Sequence, residues 1–198
     1  MAEKKKQHFV PQFYMRNFSE DAEKKFFSLY HLGSAKRLDS VPIKDQNYED
    51  YFYGNDGTIE NALHHIETVA SGVVARVLAD NALPERMSEG FTTLLTFALF
   101  QAGRTPVAAA EIDEQAEKFV KEIARDVPEL REGMDHVRVR FTNAPAAVLK
   151  IVAESLPFAL DLKWKLLLNK TDRLYVTSDH PAIFYTTKRT KAKNGLAG

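Results

Sequence analysis

An eleven-residue aromatic motif lies near the start of the chain: His8-Phe9-Val10-Pro11-Gln12-Phe13-Tyr14-Met15-Arg16-Asn17-Phe18. It holds three phenylalanines, a tyrosine, a valine and a methionine. A free tail would leave this apolar surface in water, where it favours association. We therefore expect this segment, the N-terminal motif (residues 8–18), to dock into the core.

Three polar residues of the motif, His8, Gln12 and Arg16, are spaced four residues apart. In a helical turn that follows Pro11 they lie along one side. Because buried polar groups need partners, docking of the motif predicts that side chains from the rest of the chain meet these three. We predict His8 and Gln12 as catalytic residues and Arg16 as a substrate-binding residue.

The composition is that of a soluble globular protein with one well-buried core. The chain has 198 residues, of which 44% are hydrophobic and 27% charged, and its formal net charge is zero. The net charge therefore gives no overall electrostatic attraction to nucleic acid, although it does not exclude a local basic patch. The lack of cysteine excludes disulfides and thiolate chemistry and suits a cytoplasmic location. No apolar run is long enough to span a membrane.

Apolar periodicity and capping residues predict four helices in the middle of the chain. The first runs from Thr58 to about Asp80, and the second, which Pro84 can open, contains Phe91 to Phe100. Thr105-Pro106 starts the third, which ends at Pro128, and Asn143 with Pro145 starts the fourth, which ends near Pro157.

Strand-like alternation occurs on both sides of these helices. A hairpin is predicted over 26–32 and 37–41, and further strands over 136–142, 162–168, 174–177 and 182–186. These patterns predict an α+β fold, in which the helices pack beside a small, mostly antiparallel sheet drawn from both ends of the chain. We expect a single domain over residues 1–187 and a flexible basic tail over 188–198.

The first helix carries two carboxylates beside its apolar stripe. Glu60 and Glu67 are seven residues apart with His64 between them, a set that could bind Mg²⁺ or Mn²⁺. Such residues also occur as ordinary boundary residues of amphipathic helices. Asp179 follows a predicted strand in the segment Ser178-Asp179-His180-Pro181 and could join the metal site, or could only form an Asx turn.

Arg104 closes the most apolar helix, three residues after Gln101. A buried guanidinium needs acceptors, so Arg104 either pairs with Glu60 or Glu67 as an internal ion pair or binds an anion. We predict that it is largely buried and paired with one of these glutamates.

Four short segments in this order resemble a bacterial family of unknown function, DUF4238. They are His8-x-Val10-Pro11-x-x-Tyr14 with Phe18, then Tyr51-Phe52-Tyr53 leading to Glu60 and Glu67, then Gln101-x-x-Arg104-x-Pro106, and finally Thr177-Ser178-Asp179-x-Pro181. The resemblance implies no activity. It also implies that members continue beyond the Ser-Asp-x-Pro segment with more strand-forming sequence, so that residues 188–198 mark a possible truncation point.

Two functional hypotheses follow from the polar residues. In the first, the protein is a metal-dependent hydrolase acting on a phosphodiester of a nucleotide or nucleic acid. Glu60, Glu67 and Asp179 hold the metal, His8 is the general base and Arg104 stabilises the phosphate, while Gln101 and Ser178 contact the substrate. In the second, the protein is a non-enzymatic binding protein, and the same groups form a structural network or an anion pocket.

Overall fold

The structure is a computed structural model that describes residues 5–127 and 133–184, except for the side chain of Asp135. The predicted basic tail and the last residues of the predicted 182–186 strand lie outside the described residues. Helices and strands are numbered in chain order. The helices are α1 (Gln12–Met15), α2 (Thr58–Asp80), α3 (Glu89–Gly103), α4 (Pro106–Arg125) and α5 (Ala144–Ser155). The strands are β1 (Lys6–His8), β2 (Phe26–His31), β3 (Lys36–Pro42) and β4 (Tyr48–Asp50).

Two separate antiparallel pairs form the strand content of the described residues. β1 pairs with β4, with His8 opposite Tyr48, and β2 pairs with β3, with Tyr30 opposite Arg37. The four predicted helices are all present as α2 to α5, which confirms the α+β class. No helix of the described residues is long and apolar enough to cross a membrane.

The predicted C-terminal strands are wrong within the described residues. Segments 162–168 and 174–177 form neither helix nor strand, although the predicted turn between them is held by Asn169, whose amide donates to the carbonyl of Arg173. A segment with alternating apolar residues forms a strand only where a neighbouring strand pairs with that segment. Among the described residues, both antiparallel pairs therefore come from the first fifty residues.

The predicted strand over 136–142 is also wrong, for a reason that the structure shows. The backbone N–H groups of Val139 and Phe141 donate to Glu117 and Asp113 of α4 at 3.4 and 2.8 Å. Carboxylates of a helix thus take the place of a neighbouring strand as hydrogen-bond acceptors for this extended segment.

Capping side chains fix where the helices begin. Thr105 accepts from the N–H of Ala108 and starts α4, and Asn143 accepts from the N–H of Ala146 and starts α5, both as predicted. The prediction that Pro84 opens α3 is wrong, because Ser88 accepts from the N–H of Phe91 and the helix begins one residue after it.

The N-terminal motif is docked, as predicted. Val10 and Met15 are fully or almost fully buried, and they form a cluster with Phe9 and Ile43. The aromatic rings of Phe13 and Tyr14 contact Phe97 of α3. The motif therefore lies between α3 on one side and the β1–β4 pair on the other, which fixes where its polar residues point.

Candidate functional site

The structure places the polar face of the N-terminal motif in an open cleft of about 500 Å³. One wall is the outer face of α2, which contributes side chains spaced three, four or seven residues apart. The opposite wall is β1 together with α1 and Arg16. The lining residues are Lys6, His8, Gln12, Phe13, Arg16, Glu60, His64, Glu67, Thr68 and Ser71.

Three of the predicted site residues lie in a row along one wall. Gln12 Nε2 lies 3.4 Å from His8 Nε2, and Arg16 Nη2 donates to Gln12 Oε1 at 3.2 Å. The four-residue spacing in the sequence therefore does place His8, Gln12 and Arg16 on one side. Arg16 is exposed, so its guanidinium can reach a ligand in the cleft.

His8 is held in a neutral state by its surroundings. Burial lowers its pKa, and the hydrogen bond to the carbonyl of Lys44 at 3.2 Å only partly opposes this. Since a carbonyl can only accept, this contact places the ring proton on Nε2 and leaves the lone pair on Nδ1. A neutral imidazole is the protonation state that a general base requires.

Arg104 lies beneath the cleft, almost fully buried, with all of its guanidinium nitrogens engaged. It donates from Nη1 to Glu67 Oε1 at 2.6 Å, from Nη2 to the carbonyl of His8 at 2.6 Å and from Nε to the hydroxyl of Tyr53 at 3.2 Å. The predicted burial and the predicted pairing with Glu67 are both confirmed. Arg104 therefore connects the two walls, because it holds the backbone of His8 and the carboxylate of Glu67 together.

Tyr53 completes this buried network. Its hydroxyl donates to the carbonyl of Arg104 at 3.1 Å, and burial raises its pKa to about 12, so the phenol keeps its proton at neutral pH. Gln7 fixes the backbone on either side, because its amide accepts from the N–H of Tyr53 and donates to the carbonyl of Gly54. The charge of Arg104 is thus neutralised and hydrogen-bonded inside the protein.

Gln101 is also buried and lies outside the cleft lining. Its Nε2 donates to the carbonyl of Phe9 at 2.9 Å, so it ties α3 to the N-terminal motif. Its Oε1 has no hydrogen-bond partner among the described residues. Substrate contact by Gln101 stays a prediction, but the geometry shows a structural clamp.

Ser178 and Asp179 are exposed and do not line the cleft. The segment around them is nevertheless docked near the motif: the Tyr14 hydroxyl lies 3.2 Å from Thr177 Oγ1, and Thr105 Oγ1 lies 2.6 Å from His180 Nδ1. Ser178 Oγ accepts from the N–H of His180 and makes a local turn through its hydroxyl, so the Asx turn considered for Asp179 stays a prediction. Thr177 therefore lies beside the N-terminal motif, whereas Asp179 is exposed and is not a lining residue of the cleft.

The three predicted metal-binding carboxylates are not assembled as one centre. Within residues 5–127 and 133–184, no group of three or more histidine, aspartate or glutamate side chains is arranged to hold a metal ion. Glu60 and Glu67 share the cleft, but Arg104 engages one oxygen of Glu67 and Asp179 is not a lining residue. Metal binding at these residues stays a prediction.

The sequence reasoning missed the role of two residues. Lys6 lines the cleft and is held by Asp45 at 2.9 Å, with its ammonium 4.4 Å from the ring centre of Tyr48. Gln7, next to it, is buried under the cleft. The only signal for either was their position directly before His8, since an alternating β1 places Lys6 and His8 on the same face.

Comparison with known proteins gives a family without an activity. The model of the DUF4238 family, described as a protein of unknown function, matches residues 6–198. Neither the comparison with curated proteins nor that with solved structures finds a match. The family match covers almost the whole chain, in agreement with the resemblance seen in the four short motifs. The chain therefore belongs to the DUF4238 family of proteins of unknown function.

Proposed function

We propose that the protein is a hydrolase that cleaves a phosphodiester of a nucleotide or nucleic acid in the cleft between β1 and α2. The observation that carries this proposal is the row His8, Gln12 and Arg16. A neutral imidazole stands in it beside an exposed guanidinium, and Glu60 lies on the facing wall. This combination offers a base, an anion contact and a carboxylate within one cleft.

Each side chain has a role in this proposal. Arg16 binds two phosphate oxygens through its planar guanidinium, and Lys6, which lines the same cleft, adds a second positive charge. His8 takes a proton from the attacking water. Gln12 accepts from Arg16 and so positions its guanidinium beside the ring of His8. Arg104 supports His8 from below instead of touching the phosphate, which replaces the role that the sequence suggested for it.

Glu60 and Glu67 are the residues that would hold Mg²⁺ or Mn²⁺. Mg²⁺ usually keeps several waters and is bound by one or two carboxylates plus substrate phosphates, so a complete protein cage is not required. Arg104 pairs with Oε1 of Glu67, so Glu67 would bind the metal ion through Oε2. When bound, the ion would neutralise charge on the phosphate. Asp179 has no part in this arrangement.

A second candidate function is a binding protein without catalysis. This candidate is favoured because three predicted site residues make hydrogen bonds to other groups of the protein. These residues are Arg104, Glu67 and Gln101. In this case the cleft binds an anionic ligand through Arg16 and Lys6, and His8 only lines it. A cytoplasmic bacterial setting, which the resemblance and the cysteine-free sequence suggest, is part of both proposals.

The two candidates are separated by turnover and binding measurements on matched variants. We expect the protein to hydrolyse a model phosphodiester in the presence of Mg²⁺ or Mn²⁺, and His8→Gln to abolish the reaction while His65→Gln, outside the cleft on the same helix as Glu60, retains it. Arg16→Met should weaken binding of the diester, and Arg76→Met should not. Binding without turnover would favour the second candidate, and the absence of both would refute the cleft as the site.

A further inference from the structure

The β2–β3 hairpin projects from the body of the protein with little support. Every residue from Tyr30 to Ser40 is exposed. A two-stranded ribbon alone is marginally stable in water, and long exposed strands are a liability that proteins usually cover. An exposed ribbon of this kind is suited to contact a partner molecule.

The charge of this region identifies the kind of partner. Residues 24–44 contain five basic residues and one acidic residue, in a protein whose formal net charge is zero. Lys25 pairs with Glu23 just outside this region, so the exposed end of the hairpin takes its positive charge from Lys36 and Arg37. The one acidic side chain, Asp39, pairs with Arg37 at 2.7 Å in an exposed contact. Exposed ion pairs contribute little, so a phosphate can replace this partner.

Aromatic side chains are interleaved with these charges. Tyr30 is directly opposite Arg37 in the ladder, and His31 is opposite Lys36. Cross-strand neighbours lie on the same face of a ribbon, so each face pairs a ring with a cation. Tyr30 is 58% exposed, which leaves its ring available for stacking. Rings that stack on bases, beside cations that contact phosphates, form the usual surface for single-stranded nucleic acid.

We propose that the β2–β3 hairpin binds single-stranded nucleic acid and feeds it toward the cleft. The base of the hairpin is continuous with the cleft wall, because the N–H of Ile43 donates to the carbonyl of Lys25 and the carbonyl of Lys44 accepts from His8. The choice of a nucleic acid strand over a free nucleotide as substrate rests on the proposed function. Binding by the hairpin does not depend on hydrolysis.

The test is fluorescence anisotropy of a labelled single-stranded oligonucleotide with the full chain. Tyr30→Ala should weaken binding about tenfold, the loss of one stacked base. Arg37→Ala, on the same face of the ribbon as Tyr30, should reduce the salt dependence of the binding constant by about 0.7 in logarithmic slope, the contribution of one phosphate contact on a single strand. Because these residues are exposed, the variants should keep the wild-type melting temperature.

The matched controls are Phe158→Ala, an exposed ring after α5, and Arg76→Ala, an exposed arginine of α2. These should leave both affinity and salt slope unchanged. Wild-type protein that does not bind the oligonucleotide, or hairpin variants that bind like the controls, would overturn the inference.

The inference and the proposed function fail separately. Turnover of a small phosphodiester, too short to reach the hairpin, with no gain in affinity for the oligonucleotide would overturn the hairpin inference and leave the hydrolase intact. Oligonucleotide binding that depends on Tyr30 and Arg37 without any turnover would support the hairpin inference and refute the hydrolase. Binding of a protein instead of the oligonucleotide at the hairpin would also overturn it.

Discussion

Replacement of Arg104 should destabilise the fold by several kcal/mol. Arg104→Met removes three donated hydrogen bonds and leaves the carbonyl of His8 and the carboxylate of Glu67 without their main partner. Breaking a buried ion pair from one side costs about 3–5 kcal/mol. Glu67 keeps a side-chain exposure of 22% and can be partly rehydrated, so we expect about 3 kcal/mol.

Arg104→Lys should cost less, about 2 kcal/mol, because it keeps the charge but can satisfy only part of the fork, and each hydrogen bond to a charged group contributes roughly 1.5–3 kcal/mol. Urea unfolding measures both values through the midpoint concentration. For a chain of this size, 3 kcal/mol corresponds to a fall of roughly 10 °C in melting temperature. Arg76→Met, an exposed arginine of α2, is the matched control and should change stability by no more than about 0.5 kcal/mol. An Arg104→Met protein with the wild-type midpoint would refute the structural role.

Three further predictions concern packing, the N-terminal motif and pH. Gly103→Ala should cost roughly 1–3 kcal/mol, because its Cβ would lie 2.6 Å from Val152 Cγ2, whereas Gly72→Ala, with nothing within 4 Å, should stabilise α2 by roughly 0.5–1 kcal/mol; equal effects in urea unfolding would contradict this. Deleting residues 1–18 should abolish cooperative thermal unfolding, since each buried side chain of the motif contributes roughly 1.5–3 kcal/mol, and an unchanged melting temperature would argue against docking. Because the folded state lowers the pKa of His8, the unfolded chain binds a proton near the ordinary value of about 6.5 that the folded chain does not. Stability should therefore fall as pH drops below that value and less so in His8→Gln; identical pH profiles of the two proteins would contradict this.

Local signals in the sequence were sufficient for most of the helices. Thr105 and Asn143 are N-caps because a side-chain oxygen beside a following proline or alanine run satisfies free backbone N–H groups within a few residues. The same kind of local reasoning failed at Pro84, since a proline at a possible first turn is weaker evidence than the serine cap that follows at Ser88.

Strands were predicted less well because a strand needs a partner distant in sequence. The alternation over 136–142 is real, yet its backbone bonds to Asp113 and Glu117, which no periodicity could indicate. For the candidate site, the spacing of His8, Gln12 and Arg16 and the anomaly of Arg104 at the end of an apolar helix were readable. The sequence did not show which of these residues line the cleft and which are bound to other protein groups in the interior. That division depends on how the motif docks against α2 and α3.

The account rests on the cleft between β1 and α2 as the ligand site, and the most direct test is an NMR titration of the histidine side chains. A dinucleotide with Mg²⁺ would be added while the imidazole signals are followed. We predict that the signals of His8 and His64, which line the cleft, shift with saturation, while those of His136 in the segment after α4 and His180 beside Thr105 stay in place. Shifts confined to His136 or His180, or no saturable shift of His8 at all, would contradict the account.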